Sequence, residues 1–124
     1  MIIYLCGGMR SGWQDKVISK LDKERFKILD PRDNESDVPN LYTEMDYMYI
    51  RKCDVVLAHA EKENASLLGL SAEIGFAKAL NKLVILVYDF DLDNNEHFQF
   101  VKYSANVMFY SIEDAVDYIE NFQI

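Results

Sequence analysis

Basic residues are scarce in this 124-residue chain: 13 Lys+Arg stand against 21 Asp+Glu, a formal net charge of −8. Binding a nucleic-acid polymer requires Lys and Arg to displace counterions from phosphates, so the balance argues against that class. It argues equally against docking on an anionic membrane surface. No apolar run approaches the roughly 18–20 residues of a membrane span. Met1 to Cys6 is apolar, but no basic segment precedes it and it is short for a secretory signal, so a cytoplasmic protein is expected. The only two cysteines, Cys6 and Cys53, have no CxxC or Cys/His metal spacing and are read as reduced, buried thiols. His59 and His97 stand alone, so no metal site is expected, and no cofactor either. A small anionic ligand stays possible, because a pocket's local field need not follow the net charge.

What the chain does have is apolar material: half of its residues are hydrophobic and 13% are aromatic, enough for a real core. The apolar period changes repeatedly along it. Ile2 to Leu5, Phe26 to Leu29, Asp54 to Ala58, Leu83 to Val87 and the weaker Val107 to Phe109 are short apolar runs that read as buried strands. Between them apolar residues recur at helical spacing: Trp13, Val17 and Leu21; then Met45, Met48 and Tyr49, with Thr43 as N-cap; then Leu70, Ile74, Ala77 and Leu80 within Gly69 to Asn81. Ser111 caps a last helix carrying Ile112, Ala115, Val116 and Ile119, with Asp114 at the capping-box position. Residues 31 to 42 and the acidic stretch after Val87 read as loops. Strands without alternation, separated by amphipathic helices, indicate an α/β fold. The expected architecture is a single domain over residues 1–124, a three-layer, flavodoxin-like, doubly wound sandwich of about five parallel strands. Ligands of such a sheet bind beyond the carboxyl ends of its strands, which directs attention to residues 6–13, 30–42, 59–73 and 88–99.

The first of these segments is Gly7-Gly8-Met9-Arg10-Ser11-Gly12. Gly7 and Gly12 have the spacing of a P-loop, but Trp13-Gln14 replaces the required Lys-Ser/Thr, and no GxGxxG is present. A glycine-rich turn before a helix can still cradle an anion, with Arg10 as a bidentate partner; alternatively it is a tight turn with a solvent-facing arginine. A receiver domain shares the topology but needs an acidic pair after the first strand and an aspartate after the third, where Cys6-Gly7 and Ala58-His59 stand. In the third segment, Glu73 is placed in the first turn of a helix, where the dipole favours an ionised carboxylate that can act as nucleophile. An acid there can also simply complement the dipole. Asp46 reads either as a pocket residue or as a first-turn acid behind Thr43, and Tyr4 as a core aromatic.

Together these motifs resemble the nucleoside 2-deoxyribosyltransferase family and the related 2′-deoxynucleoside 5′-phosphate N-hydrolases. The resemblance rests on Ile3-Tyr4-Leu5-Cys6-Gly7-Gly8-Met9-Arg10, on Asp46 eight residues before Asp54-Val55-Val56-Leu57-Ala58, and on the run from Gly69 through Glu73-Ile74-Gly75-Phe76-Ala77 to Leu80. It covers residues 1–88 well and the rest weakly. It implies cleavage of the N-glycosidic bond of a 2′-deoxynucleoside or its 5′-phosphate. Glu73 would be the nucleophile that forms a covalent deoxyribosyl-enzyme, by the double-displacement logic of retaining glycosidases. Tyr4 would orient it, and Asp46 would help position substrate. A second base then receives the sugar in a transferase; water does so in a hydrolase.

Two departures keep alternatives open. Many transferases of the family carry an aspartate six residues before the nucleophile, where this chain has Leu67, so the general acid is open, with Glu63, Asn64 and Ser66 as neighbouring candidates. The first loop, through Cys6, Gly7, Arg10 and Gly12, fits a hydrolase pattern that reads a 5′-phosphate. The expected substrate-binding set is Gly7, Gly8, Met9, Arg10, Asn64, Ser66, Gly69 and His97, the last, like Gln99, in a segment by which the family often completes a neighbouring subunit's pocket. The resemblance therefore implies a transferase acting on a deoxynucleoside and a free nucleobase, in a homodimer or higher homo-oligomer. Met45, Tyr47, Met48 and Tyr49 are candidate interface residues. The alternatives are a deoxynucleoside 5′-monophosphate N-glycosidase and a non-catalytic nucleotide-binding module.

Overall fold

The computed structural model describes residues 1–34, 36–61 and 67–123. Five strands, β1 (Ile2–Gly7), β2 (Lys27–Leu29), β3 (Val55–Ala60), β4 (Leu83–Tyr88) and β5 (Val107–Phe109), form one sheet in the order β2-β1-β3-β4-β5. Every pairing is parallel. The helices are α1 (Trp13–Lys20), α2 (Pro39–Lys52), α3 (Leu68–Ala79), α4 (Gln99–Ser104) and α5 (Ile112–Glu120). This is the expected flavodoxin-like α/β sandwich.

The absence of alternation in the strands has its reason in two cores. Ile3, Leu5, Val55, Leu57, Ile85 and Val87 point to one face, against Trp13 and Val17 of α1 and Ile112, Val116 and Ile119 of α5. Tyr4, Cys6, Val56, Ala58, Val84 and Leu86 point to the other, against Ile50 of α2 and Leu70, Ile74 and Ala77 of α3. Successive strand side chains face opposite ways, so covering both faces makes every position apolar. From β1 the chain goes to β2 on one side and then returns past β1 to β3. The switch in strand order therefore opens a crevice at the carboxyl ends of β1 and β3.

Several boundaries differ from the sequence reading. The segment 31–42 is not a continuous loop. A 3₁₀ turn occupies Pro31–Asn34, and α2 begins at Pro39. Proline suits a first helical position, because its missing N–H would be unsatisfied there anyway. Thr43 is therefore inside the helix, not its N-cap, and Val38 takes the cap position in extended conformation. β2 is shorter than Phe26 to Leu29, and Phe26 is buried just ahead of it. β3 continues past Ala58 through His59 to Ala60. At α5 the sequence reading holds: the Ser111 hydroxyl accepts from the Asp114 N–H at 3.1 Å. Both cysteines are free and buried. No helix among the described residues is long and apolar enough to cross a membrane.

Candidate functional site

At the crevice, β1 supplies two inward positions of one face, Tyr4 and Cys6, both with no exposed surface. Across from them α3 presents Glu73. The Tyr4 hydroxyl donates to Glu73 Oε2 at 3.0 Å, joining residues 69 apart in sequence. The Cys6 thiol is a second, weaker donor to the same carboxylate. Tyr49 of α2 stands edge-on to the Tyr4 ring, with centroids 6.2 Å apart. From α2 comes Asp46, only 9% exposed, whose Oδ1 accepts from the Asn34 side-chain amide at 3.0 Å.

The electrostatics follow from burial. Desolvation raises the Glu73 pKa, the Cys6 and Tyr4 hydrogen bonds pull it back, and the charge of Asp46 adds to the rise. Desolvation also raises Asp46, opposed by the Asn34 amide. The Tyr4 phenol and Cys6 thiol are both pushed far up, by burial first and then by the Glu73 charge, so both remain protonated donors. The helix dipole is not part of this account. Glu73 is the sixth residue of α3, which starts at Leu68, and the first turn of α3 holds no acid. Likewise Asp46 is the eighth residue of α2 rather than a first-turn acid. The result is a pair of half-buried to buried carboxylates, each held by uncharged donors.

The glycine-rich loop lies at the other side of the same crevice. Gly7 ends β1 at φ +148°, and a Cβ there would stand 2.6 Å from the His59 carbonyl oxygen. Gly12, at φ 79°, precedes α1. The Gly8 carbonyl accepts from Trp13 Nε1 and Gln14 Nε2, both at 2.9 Å, which closes the loop onto its helix. Met9 and Arg10 are exposed at its tip, and Arg10 makes no ion pair with a described residue.

The structure thus brings together Tyr4, Asp46 and Glu73, with Gly7, Gly8, Met9 and Arg10 on the adjoining loop. Gly69 sits in the first turn of α3 with open space around its Cβ position. Asn64, Ser66 and Glu63 lie outside the described residues. His97 is in a 3₁₀ turn at Glu96–Phe98, with its side chain 90% exposed, and touches none of this set. Of the four interface candidates, Tyr47 packs on Phe76 (centroids 4.7 Å) and Tyr49 on Tyr4, Met45 is half-buried, and Met48 is 47% exposed.

Sequence reasoning missed four residues. Asn34 is one. Arg32 is another: it binds Asp30 through both Nε and Nη2 and reaches Asp15 at 2.8 Å. Gln14 is fully buried. His59 packs edge-on to Trp13 at 5.0 Å, with Nδ1 buried and unpartnered among the described residues. Only the unusual Trp-Gln pair after Gly12 carried a local signal.

A family model described as nucleoside 2-deoxyribosyltransferase matches residues 3–108 of the chain. Comparison with curated proteins finds no match. Among solved structures, the 2-deoxyribosyltransferase of Bacillus psychrosaccharolyticus superposes with a TM-score of 0.73 at 18% identity, covering 100% of this chain and 93% of its own. The 2-deoxyribosyltransferase of Leishmania mexicana gives 0.75 at 18% identity, with 99% of each chain covered. The CMP N-glycosidase of Clostridium botulinum gives 0.65 at 19% identity, covering 98% of this chain and all of its own. At these identities the three likenesses speak to the fold.

Proposed function

The chain belongs to the nucleoside 2-deoxyribosyltransferase family, and from that premise we propose that it cleaves the N-glycosidic bond of 2′-deoxynucleosides and transfers the deoxyribose to a second base through Glu73. The observation that carries this reading is the Glu73 carboxylate held at 3.0 Å by the Tyr4 hydroxyl, at the strand switch, with Asp46 beside it. A carboxylate fixed in rotation by a neutral donor keeps its charge for the reaction, whereas a cationic partner would neutralise it.

A Glu73 oxygen attacks C1′; the C1′–N bond breaks, and its electron pair leaves with the base nitrogen, which takes up a proton from solvent. The sugar carbon is oxocarbenium-like on the way, and two carboxylates stabilise that developing positive charge. A nitrogen of the incoming base then attacks C1′. The C1′–O bond breaks, its electron pair returns to Glu73, and the incoming base releases its proton. Tyr4 stays protonated throughout and re-forms the same hydrogen bond to the freed carboxylate.

The test is to incubate the protein with a deoxynucleoside and a different free base and to follow the exchanged nucleoside by chromatography. Exchanged nucleoside is expected to exceed free sugar. Base released at the same rate with and without acceptor would replace transfer by hydrolysis.

One observation favours that second reading, hydrolysis of deoxynucleoside 5′-monophosphates. Arg10 is exposed at the tip of the Gly7–Gly12 loop, whereas Arg32 is engaged by Asp30 and Asp15. On this reading Arg10→Ala raises KM for a 5′-monophosphate roughly 10-fold or more, the loss of one charge-assisted contact. An unphosphorylated substrate is unaffected. Equal changes for both substrates would assign Arg10 no phosphate contact.

A further inference from the structure

We propose that Asn34 is a positioning residue that fixes Asp46 with one carboxylate oxygen occupied and the other open to a hydroxyl of the sugar. The inference rests on the functional reading above and assigns a task to a residue with no place in the family pattern set out for this chain.

Asn34 ends the 3₁₀ turn after β2 and is 3% exposed. Its amide Nδ2 donates to Asp46 Oδ1 at 3.0 Å, a fully buried side-chain bond between two elements. The neighbouring Asp30 has a different partner. Arg32 grips both of its oxygens, with Nε at 3.1 and 2.9 Å and Nη2 at 2.7 Å, which neutralises that carboxylate and closes it to any ligand. Among the described residues, the side-chain donor to Asp46 is the neutral Asn34 amide instead. An amide cannot ionise, so it supplies the same N–H at every pH, and it leaves the carboxylate its charge and its second oxygen.

Asp46 needs such a donor because its surroundings oppose its ionisation. Facing it are Glu73 from α3 and Tyr4 and Cys6 from β1. In the turn that holds Asn34, Arg32 is turned to Asp30 and Asp15, and Asp33 is exposed. No cation of that turn is thus directed at Asp46. Burial raises its pKa, and the Asn34 hydrogen bond opposes the rise. Without Asn34 the carboxyl holds its proton to higher pH, becomes a donor, and no longer accepts from a hydroxyl.

The test compares Asn34→Ala and the near-isosteric Asn34→Asp by steady-state kinetics with a 2′-deoxynucleoside across pH, thermal melts serving to confirm folding. Asn34→Ala is expected to raise KM roughly 10-fold, the equivalent of one buried hydrogen bond, with a smaller change in kcat. Asn34→Asp is expected to approach wild-type KM at acid pH, where the introduced carboxyl is protonated and donates. Its KM then climbs as pH rises and two carboxylates face each other. A packing role alone would raise KM equally at every pH in both variants, and that result, or an unchanged KM in Asn34→Ala, overturns the proposal. Asn34→Asp that fails to fold even at acid pH, where it can donate, also overturns it. Wild-type protein that releases no base from any deoxynucleoside or its monophosphate overturns the functional reading, and this inference with it. Turnover in the wild type with unaffected Asn34 variants overturns this inference alone.

Discussion

Glu73→Gln is expected to lower N-glycosidic cleavage by roughly 10³-fold or more, as removal of a covalent nucleophile does, and to raise stability at neutral pH. Both effects have one origin. The amide keeps the size and an acceptor for the Tyr4 hydroxyl, so the 3.0 Å contact of the wild type has a counterpart in the variant. It has no charge with which to attack C1′. The stability gain follows from the direction of the Glu73 shift, which burial raises above the ordinary glutamate value despite the Tyr4 and Cys6 hydrogen bonds. A folded carboxyl with a raised pKa binds its proton more tightly than the unfolded chain does. Its stability contribution is full below the unfolded pKa and is lost as pH rises through the folded pKa. The carboxylate that forms as pH rises through the folded pKa is desolvated and opposes folding, and glutamine removes that opposition. A gain of about 1 kcal/mol corresponds to a rise of roughly 3–5 °C in Tm for a chain of this size. Melts of the two proteins should differ at pH 7 and converge near pH 4. Undiminished turnover would assign the chemistry to another residue, and a wild type that binds nucleotide without turnover would be a nucleotide-binding module. A lower Tm at pH 7 would mean that the ionised Glu73 stabilises the fold.

The same direction of shift bears on what could be read from sequence. Strands β1, β3 and β4 are legible because both of their faces are covered, which leaves an apolar run that no helix of such shortness explains. The Tyr4, Asp46 and Glu73 set was legible only through the family pattern, since each residue has an ordinary local explanation. Its electrostatics were not legible. The reading of Glu73 as dipole-stabilised depended on where α3 begins, and Leu67 at that cap bonds through no side chain, so nothing marked the boundary. The pairing of Asn34 with Asp46 crosses from one element to another, beyond the reach of any periodicity.

The acidic stretch after β4 shows the opposite error. Its charges resemble a solvated loop, yet Asp93 accepts from Tyr88 Oη at 2.7 Å, Lys102 Nζ at 2.8 Å and Tyr110 Oη at 2.8 Å. The Lys102 bond, first among these contacts, holds the Asp93 carboxyl down to about 2. Asp89 and Asn95 cap the two 3₁₀ turns with their side chains. Part of the net charge of −8 is thus structural, and it organises the segment that carries His97. None of those partners is visible until the sheet brings β4, α4 and the residue after β5 side by side.

Gly7→Ala is expected to destabilise the fold strongly, by roughly 2–4 kcal/mol. Two independent penalties coincide there. The backbone at φ +148° is one that L side chains rarely adopt. The new methyl would also stand 2.6 Å from the His59 carbonyl oxygen and 3.2 Å from Trp13 Cζ2. The carbonyl belongs to the strand paired with Gly7, so relief requires β1 and β3 to part at their carboxyl ends. That is the crevice in which Tyr4 and Cys6 meet Glu73, and the position from which the Gly8 carbonyl receives Trp13 and Gln14. A domain of ordinary stability, about 5–15 kcal/mol, loses a large share of it. Activity at 25 °C should then fall through site geometry even in the molecules that remain folded. Gly75→Ala is the internal control. Gly75 lies within α3, and its Cβ would meet nothing within 4 Å. There alanine should stabilise by about 0.5–1 kcal/mol, because the helix no longer pays glycine's backbone entropy. Urea unfolding of the two variants should therefore move the midpoint in opposite directions. Equal and small shifts would show that β1 and β3 accommodate a side chain at the switch, and that the close approach of Gly7 to His59 does not hold the crevice in place.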